Sequence, residues 1–551
     1  MWVFRLNQRE KVGILLIILI ISVALIGYSM IQSIIPDTDE NNFEIEGTYS
    51  QHDSIYINSD SDFVEQGWPG NGSVTNPYVI EGLNVSYSYD SWLQSAISIK
   101  HTTVYFEIRN CLLMLPYANP FEIAIRFENV SYGTVMNCFL INYEYGSFLE
   151  DSNNCFVFNN TAFSTGYYEI RAGFGLQDSI NCTIMKNEVK KAIEGYSIYR
   201  CNNCSVTSNS VSDIKHSAVS LWYSNCCIVQ NNKLGETGIG LWGRSEENWN
   251  HEMTNNTLNK KPIGYFKEFE NVVIDGSLYG QIILAKCENV TVEGLESPHA
   301  VFGVNLGFCI GCSVEQCNSF DNYANGFSML FCINCIINQC RAVDILTAYE
   351  LEYCCGCALT NNIADSNVAG YSLREAKDCI LSNNIAISNV RGFLLYHVNN
   401  STMMNNTAMS NTEEGINFYE SNNCIVVNNT ITDNKEGGLS IGCCCDDNVI
   451  YYNRFARNGQ YNAADGGYNN RWDDGISCGN YWDDWNGTGP YFVSHIGNRC
   501  DNFPQLWIQQ VETYDIAAIL VLSCIGLVIT VVVAEEFIRK KHSDGNNLVI
   551  A

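Results

Sequence analysis

Tripeptides ending at Asn362, Asn384, Asn406, Asn429 and Asn453 recur every 22 to 24 residues, each behind two inward-type apolar positions, and this period constrains the fold more than any other feature. Read backwards, the register lands on Cys340, Cys317, Gly294, Gly276, Asn256, Asn232, Asn209, Asn187, Asn160, Cys138 and Asn110, which makes sixteen coils. A helical hairpin repeat needs about 34 residues or more, so units this short are built from strands. Within each unit a Gly or Ala opens a stretch of alternating apolar and polar residues, as at Gly326, Gly370 and Gly392. Alternation marks half-buried strand, and the small residue suits a tight turn. Three short strands per turn predict an all-β, right-handed parallel β-helix whose coils stack at about 4.8 Å, a rod of about 75 Å.

The cysteines follow the same period. Five residues before the ladder positions stand Cys155, Cys182, Cys204, Cys227, Cys312, Cys335, Cys357, Cys379 and Cys424, with His251, Asn271, Asn289, Ser401 and Asn448 in the remaining slots. Four C-x-x-C pairs result, at Cys201/Cys204, Cys309/Cys312, Cys332/Cys335 and Cys354/Cys357, a spacing that elsewhere signals zinc. Here the first cysteine of each pair shares its slot with Ser152, Ser179, Ser224, Ala376 and Ser421. The pattern therefore asks for small residues and predicts stacked core thiols. Rungs about 4.8 Å apart also exceed the Cβ separation of about 3.8 Å that a disulfide wants. Cys443, Cys444 and Cys445 are consecutive and cannot all face inward. The Asn ladder has the same structural character, since a buried amide must find partners along the stack. Sequons at Asn71, Asn84, Asn129, Asn289 and Asn486 resemble a glycosylation surface, whereas those at Asn159, Asn255, Asn405 and Asn428 arise from the ladder tripeptide itself.

The two ends place the solenoid. Residues 12–31 form an apolar run of 20, preceded by Arg5, Arg9 and Lys11, and residues 516–534 form a second of 19, followed by Arg539, Lys540 and Lys541. The first is too long for a signal h-region and is expected to be an uncleaved anchor. Positive charge beyond both runs puts both termini in the cytoplasm and the intervening ectodomain outside the cell. The expected order is a cytoplasmic N-terminus over 1–11, a transmembrane helix over 12–31, and a linker with N-terminal cap and first coil over 32–100. Repeats follow over 101–455, then a C-terminal cap over 456–510, a transmembrane helix over 516–534 and a cytoplasmic tail over 535–551. A net charge of −29, from 59 acidic and 30 basic residues, argues against nucleic acid as a partner.

Function on a solenoid belongs on outward positions of stacked strands. One outward column reads Ser197, Ser220, Gly240, Asn305, Ser328, Glu350, Ser372, Leu394, Asn417 and Ser440. Beside it runs Tyr199, Trp222, Trp242, Gly307, Leu330, Glu352, Arg374, Tyr396, Tyr419 and Gly442. Small residues beside aromatic ones describe a trough in which Tyr199, Trp222, Trp242, Tyr396 and Tyr419 are candidate sugar-binding residues. Glu350 and Glu352 lie about 6.7 Å apart by strand rise, with Arg374 one rung along. That separation suits an inverting hydrolase, whose two carboxyls leave room for water. The alternative is a surface ion pair between Glu352 and Arg374 worth under about 1 kcal/mol.

After Asn453 the period stops, and the tail carries Asn470, Trp472 and Asp473, the run from Gly479 through Trp485, Pro490 and Tyr491, and finally Asp501, Phe503 and Pro504. Coil pattern and tail together resemble the NosD-type right-handed β-helix proteins of the pectate-lyase-like superfamily. The resemblance implies the fold and a cell-surface setting; among family activities it implies carbohydrate binding or cleavage, or copper delivery. Related tails often carry an acidic calcium-type loop, and here Trp485 to Gly489 replaces it. Asp473, Asp474, Asp483 and Asp484 remain, interleaved with Trp472, Trp482 and Trp485; they can hold calcium or, with the rings, sugar, or simply cap turns. The eight histidines form no i,i+2 or i,i+4 pair, which weakens the copper reading. The expectation is a membrane-anchored extracellular β-helix protein that binds glycan or a surface protein without catalysis. The alternatives are a polysaccharide hydrolase or lyase and, third, copper delivery.

Overall fold

A computed structural model describes residues 48–85, 95–165, 169–493 and 499–506. The segments 1–11, 12–31, 516–534 and 535–551, and with them both expected transmembrane helices, lie outside the described residues. Among the described residues no helix is long and apolar enough to cross a membrane.

The chain winds as a parallel β-solenoid, and its pairings are parallel almost throughout. The second face of the coil carries eight strands from Tyr78–Glu81 to Glu252–Thr254 and nine more from Val273–Asp275 to Val449–Tyr451. The parallel ladder already runs through the segment assigned to linker and cap, because Tyr78–Glu81 pairs in register with Phe106–Arg109. Helix Asp60–Glu65 closes the N-terminal end by burying Phe63, whose ring stacks on Tyr78 at 4.8 Å. At the other end Trp482 lies between Phe455 at 4.5 Å and Tyr491 at 3.9 Å, so rings cover the last coil.

The Asn ladder is a continuous hydrogen-bond chain. Asn384 donates from Nδ2 to the Leu359 carbonyl at 2.8 Å and to Asn406 Oδ1 at 3.0 Å, while its own Oδ1 accepts the Asn362 N–H at 3.0 Å. Each rung thus satisfies backbone groups that the coil corner would otherwise leave buried and unpaired. A second ladder runs five residues later through Asn367, Asn389, Asn411 and Asn434, with Nδ2 to Oδ1 distances of 2.8 to 3.2 Å. Several expected rungs slip by one residue, Gly276 among them as register partner of Gly294. Cys111 and Leu295 fill the ladder slots, while Asn110 and Gly294 hold the left-handed corner before them at φ 52° and 68°. Likewise Val290, whose N–H meets Cys312 Sγ at 3.4 Å, replaces Asn289. The cause is that Asn and Gly suit the left-handed corner as well as Asn suits the ladder, so residue type alone does not separate adjacent positions.

Every cysteine among the described residues is free. The column behaves as stacked thiols, with the Cys312 N–H on Cys335 Sγ at 3.3 Å and the Cys335 N–H on Cys357 Sγ at 3.4 Å. Burial pushes the Cys227 and Cys379 thiols up to about 12 and that of Cys424 up to about 11, so these stay protonated. Of the consecutive trio, Cys445 is buried and Cys443 and Cys444 are exposed.

The solenoid is not one uninterrupted rod, and here the expected outward columns need correction. Strand Ile239–Trp242 has a parallel partner below, at Ser210–Trp222, but no parallel partner above among the described residues. Asn259 and Lys260, both left-handed, turn the chain so that Thr257–Leu258 pairs antiparallel with Lys261–Lys267, where a new stack begins. The outer side of that second stack then lies against the open edge of Ile239–Trp242. Gln281 takes the place of a strand there, accepting the Ile239 N–H at 2.9 Å and donating to the Ile239 carbonyl at 2.7 Å. Asn305 donates to the Leu241 carbonyl at 3.1 Å. Gly240 and Asn305, adjacent in the periodic alignment, therefore belong to different stacks that meet at a corner.

Candidate functional site

Glu350 and Glu352 stand on strand Thr347–Glu352 of the second stack, and Arg374 is register partner of Glu352 on the next rung. The ion pair expected between Glu352 and Arg374 is not formed among the described residues. Glu352 pairs instead with Arg244 of the first stack at 3.3 Å, and the Arg244 guanidinium also lies 5.4 Å from the centre of the Tyr353 ring. Arg244 belongs to the loop that ends in the turn Glu246–Trp249, where Trp249 is buried and edge-on to Phe308 at 6.5 Å. Phe308, Phe331 and Tyr353 stack outside the second stack at 4.9 and 4.7 Å, which gives the loop an aromatic surface to rest on. Burial, then the neighbouring Glu352 charge, raises the Glu350 carboxyl above its ordinary value, with Arg374 opposing. Asn325 donates to Glu350 in a short hydrogen bond. The corner thus brings two carboxyls together beneath protein that partly covers them, Glu350 buried and raised, Glu352 held by Arg244.

The aromatic candidates divide between the two stacks. Trp222 and Trp242 are register partners, and their rings stack at 4.1 Å, with Trp242 edge-on to Phe302 of the second stack at 5.1 Å. Tyr199 is covered by the Arg200 guanidinium at 4.7 Å and meets Tyr223 edge-on at 6.2 Å. In-register rings pack like cards, so their faces meet one another and their edges face outward. Tyr396 and Tyr419 also stack, at 4.8 Å and 5°, but are 43% and 44% exposed. Opposite Tyr419 on the following rung stands Gly442, where even an added Cβ would reach only to 3.9 Å from Tyr419 Cδ2. Among the described residues no second ring stacks on the far side of Tyr419. Nearby lies a hollow of about 500 Å³ lined by His397, Asn399, Glu420, Asn422, Cys444 and Asp446 among others, with His397 Nε2 3.2 Å from Glu420.

The four tail carboxylates are engaged in turns and caps. Asp473 accepts the Gly475 N–H at 2.8 Å and Asn502 Nδ2 at 2.8 Å, and Asp474 accepts the N–H groups of Ile476, Ser477 and Cys478. Asp483 accepts the Arg457 N–H at 2.7 Å, and Asp484 accepts the Tyr491 hydroxyl at 3.1 Å. Among the described residues no group of three or more His, Cys, Asp or Glu gathers as metal ligands would. Two buried carboxylates were given no site role by the sequence, although Asp501 belongs to the tail motif. Asp465 accepts Trp472 Nε1 at 2.9 Å, and Asp501, raised by burial, accepts Trp482 Nε1 at 3.0 Å. Also unforeseen was Glu194 on the first stack, whose carboxyl burial raises against the Ser197 and Ser220 hydroxyls. Arg244, Asn325 and Glu194 carry no local signal, because the contacts that matter cross between coils or stacks.

Fold and site define a parallel β-helix protein that carries its polar and aromatic chemistry on outward strand positions. The chain belongs to the NosD family, whose model, described as periplasmic copper-binding protein (NosD), matches residues 95–272 and 303–487. The gap in the match falls just after the corner. No curated protein sequence matches the chain. Among solved structures it is similar in fold to a lacto-N-biosidase from Eubacterium ramulus, at 12% identity over 54% of this chain and 62% of that one, TM-score 0.25. It is similar also to the periplasmic alginate epimerase AlgG, at 11% identity over 74% and 84%, TM-score 0.20. A third is a tailspike of E. coli bacteriophage HK620 in complex with a pentasaccharide, at 14% over 64% and 68%, TM-score 0.28. The chain spans about three-fifths of the length of the lacto-N-biosidase.

Proposed function

We propose that this chain is a membrane-anchored surface protein whose extracellular β-helix binds glycan without cleaving it. The observation that carries the reading is the exposed Tyr419 ring, stacked on Tyr396 with glycine on the following rung, beside a hollow lined with amide, imidazole and carboxylate groups. A sugar offers C–H groups to a ring face and hydroxyls to such polar neighbours, so a single free platform with polar surroundings suits it. Tyr396 supports that platform from behind. Trp222 and Trp242 each have one face on the other, and Tyr199 has one face under Arg200, so these rings pack at the corner. The apolar runs 12–31 and 516–534, with cations beyond each, are the anchors, and both termini are cytoplasmic. The test is a glycan array with the ectodomain, residues 37–510, and two variants. Tyr419→Ala removes the platform, and Gly442→Tyr adds a ring to the stack; because its Cβ would meet the Phe418 carbonyl oxygen at 3.1 Å, folding of that variant is verified by circular dichroism. Both should abolish the array signal of wild type; binding that survives both places the glycan elsewhere.

A second reading, cleavage of a polysaccharide, draws support from one observation: Glu350, whose carboxyl burial raises, stands two residues from Glu352 on the same strand, and Glu352 pairs with Arg244. An acid and a base on one strand face can divide the roles of a hydrolase or lyase. Release of reducing or unsaturated ends by wild type, lost in Glu352→Gln with binding retained, would favour it over the binding reading.

A further inference from the structure

Thirteen Asn-x-Ser/Thr tripeptides occur in the sequence, and the structure separates them by what each side-chain amide already does. Most lie at coil corners, where exposed amides bond from rung to rung. Nδ2 of Asn159 donates to Asn137 Oδ1 at 2.8 Å, that of Asn255 to Asn231 Oδ1 at 3.3 Å, and that of Asn428 to Asn405 Oδ1 at 2.7 Å. The matching hydroxyl residues, Thr161, Thr257 and Thr430, open strands already fixed in the parallel ladder.

Asn71 and Asn486 differ. Each begins an Asn-Gly-Ser/Thr turn whose glycine takes the left-handed region, Gly72 at φ 73° and Gly487 at φ 83°. Asn71 Oδ1 accepts both the N–H of Ser73 at 3.1 Å and its hydroxyl at 2.7 Å. Asn486 Oδ1 accepts both the N–H and the hydroxyl of Thr488 at 3.0 Å. Two donors on Oδ1 stabilise the negative charge that gathers there when Nδ2 gives up a proton, which is what makes an amide nitrogen a nucleophile. Both asparagines are exposed, and neither Nδ2 makes a hydrogen bond among the described residues. Among the described residues these two sequons alone place the hydroxyl on Oδ1.

We propose that Asn71 and Asn486 are the N-glycosylation acceptors of this chain. The donor class is a polyprenyl-pyrophosphate-linked oligosaccharide. Nδ2 attacks the anomeric carbon, the C–N bond forms as the anomeric C–O bond breaks, the lipid pyrophosphate leaves with the electron pair, and the amide proton passes to a base of the transferase. One acceptor lies in each cap, near the two covered ends of the solenoid, so the attached glycans further obstruct end-to-end pairing of copies.

The full-length protein, folded in detergent, is incubated with an oligosaccharyltransferase and that donor, with a short acceptor peptide verifying the enzyme, and occupancy is mapped by peptide mass spectrometry. Glycans are expected at Asn71 and Asn486 only. N71Q and N486Q should each remove one, T488A should remove the second, and S73T should retain the first. Occupancy of Asn159, Asn255, Asn405 or Asn428 in the folded protein overturns the assignment. So does an absence of glycan at both Asn71 and Asn486 when the same chain, denatured, is modified.

Discussion

His251 offers a local test of how tightly the ladder slots are specified. It is buried, and its two ring nitrogens have opposite duties: Nδ1 accepts the Cys227 N–H at 3.1 Å and Nε2–H donates to the Asn248 carbonyl at 2.8 Å. Those partners fix the neutral Nε2–H tautomer, because a proton on Nδ1 would set donor against donor. Burial lowers the imidazole from 6.5 to about 4, with Lys267 adding to the effect. Between those pH values the unfolded chain binds a proton that the folded chain refuses, so the contribution is fully present above about pH 6.5 and is lost as pH falls toward 4. At about 1.4 kcal/mol per pH decade the loss approaches 3 kcal/mol. In native-state hydrogen exchange, corrected for intrinsic rates, protection of the Cys227 amide should fall by up to about a hundredfold between pH 7 and pH 4. His251→Asn should flatten that profile, since Asn448 occupies the same slot and accepts the Cys424 N–H at 2.8 Å. Equal protection of wild type at both pH values, or the same fall in the variant, would refute the reasoning.

Asn384→Ala deletes the partners of the Asn362 N–H and the Leu359 carbonyl and should cost about 2 to 5 kcal/mol in denaturant unfolding, far more than an exposed Asn→Ala change. Alkylation of the native protein should label Cys226, Cys443 and Cys444 first, and denaturation without reductant should expose the column; disulfide-linked column thiols would contradict the packing. Chelation of calcium should leave Tm unchanged, and a fall of several degrees would show that Asp473, Asp474, Asp483 and Asp484 hold an ion after all.

The period made the solenoid legible, because each coil repeats the same inward positions and stacking turns a one-dimensional pattern into columns. The thiol column and the Asn362 to Asn453 ladder could both be read this way, whereas the aromatic caps at Trp472 and Trp482 were legible from the change in composition where the period stops. The second ladder, from Asn367 to Asn434, obeys the same period five residues on, but its asparagines lie among Ser and Asp corner residues that make it resemble ordinary polar turn. What periodicity hid was the difference between adjacent corner positions, as at Asn110 and Cys111, where both residue types fit both slots.

The corner at Asn259 and Lys260 was hidden for a different reason. Across the break the coils shorten to 20 and 18 residues, from Asn256 to Gly276 and from Gly276 to Gly294, a change small enough that the outward columns still joined Gly240 to Asn305. The residues that mark it are outward ones doing inward work: Gln281 completing the edge of Ile239–Trp242, Asn305 reaching the Leu241 carbonyl, and Trp249 buried against Phe308. An open parallel edge invites pairing with another chain, and here the chain's own second stack occupies it. That closure consumes the very surface, Trp222, Trp242 and Glu350, that looked most like a trough. On the binding reading proposed above, the chemistry falls to the stretch of outward strand beyond the corner's reach, where Tyr396 and Tyr419 stay exposed and glycine stands at position 442. An aromatic placed at position 442 would add one more card to the stack and leave no face for a ligand, which is why that glycine, and not the longer run of tryptophans, is the position on which the binding reading turns.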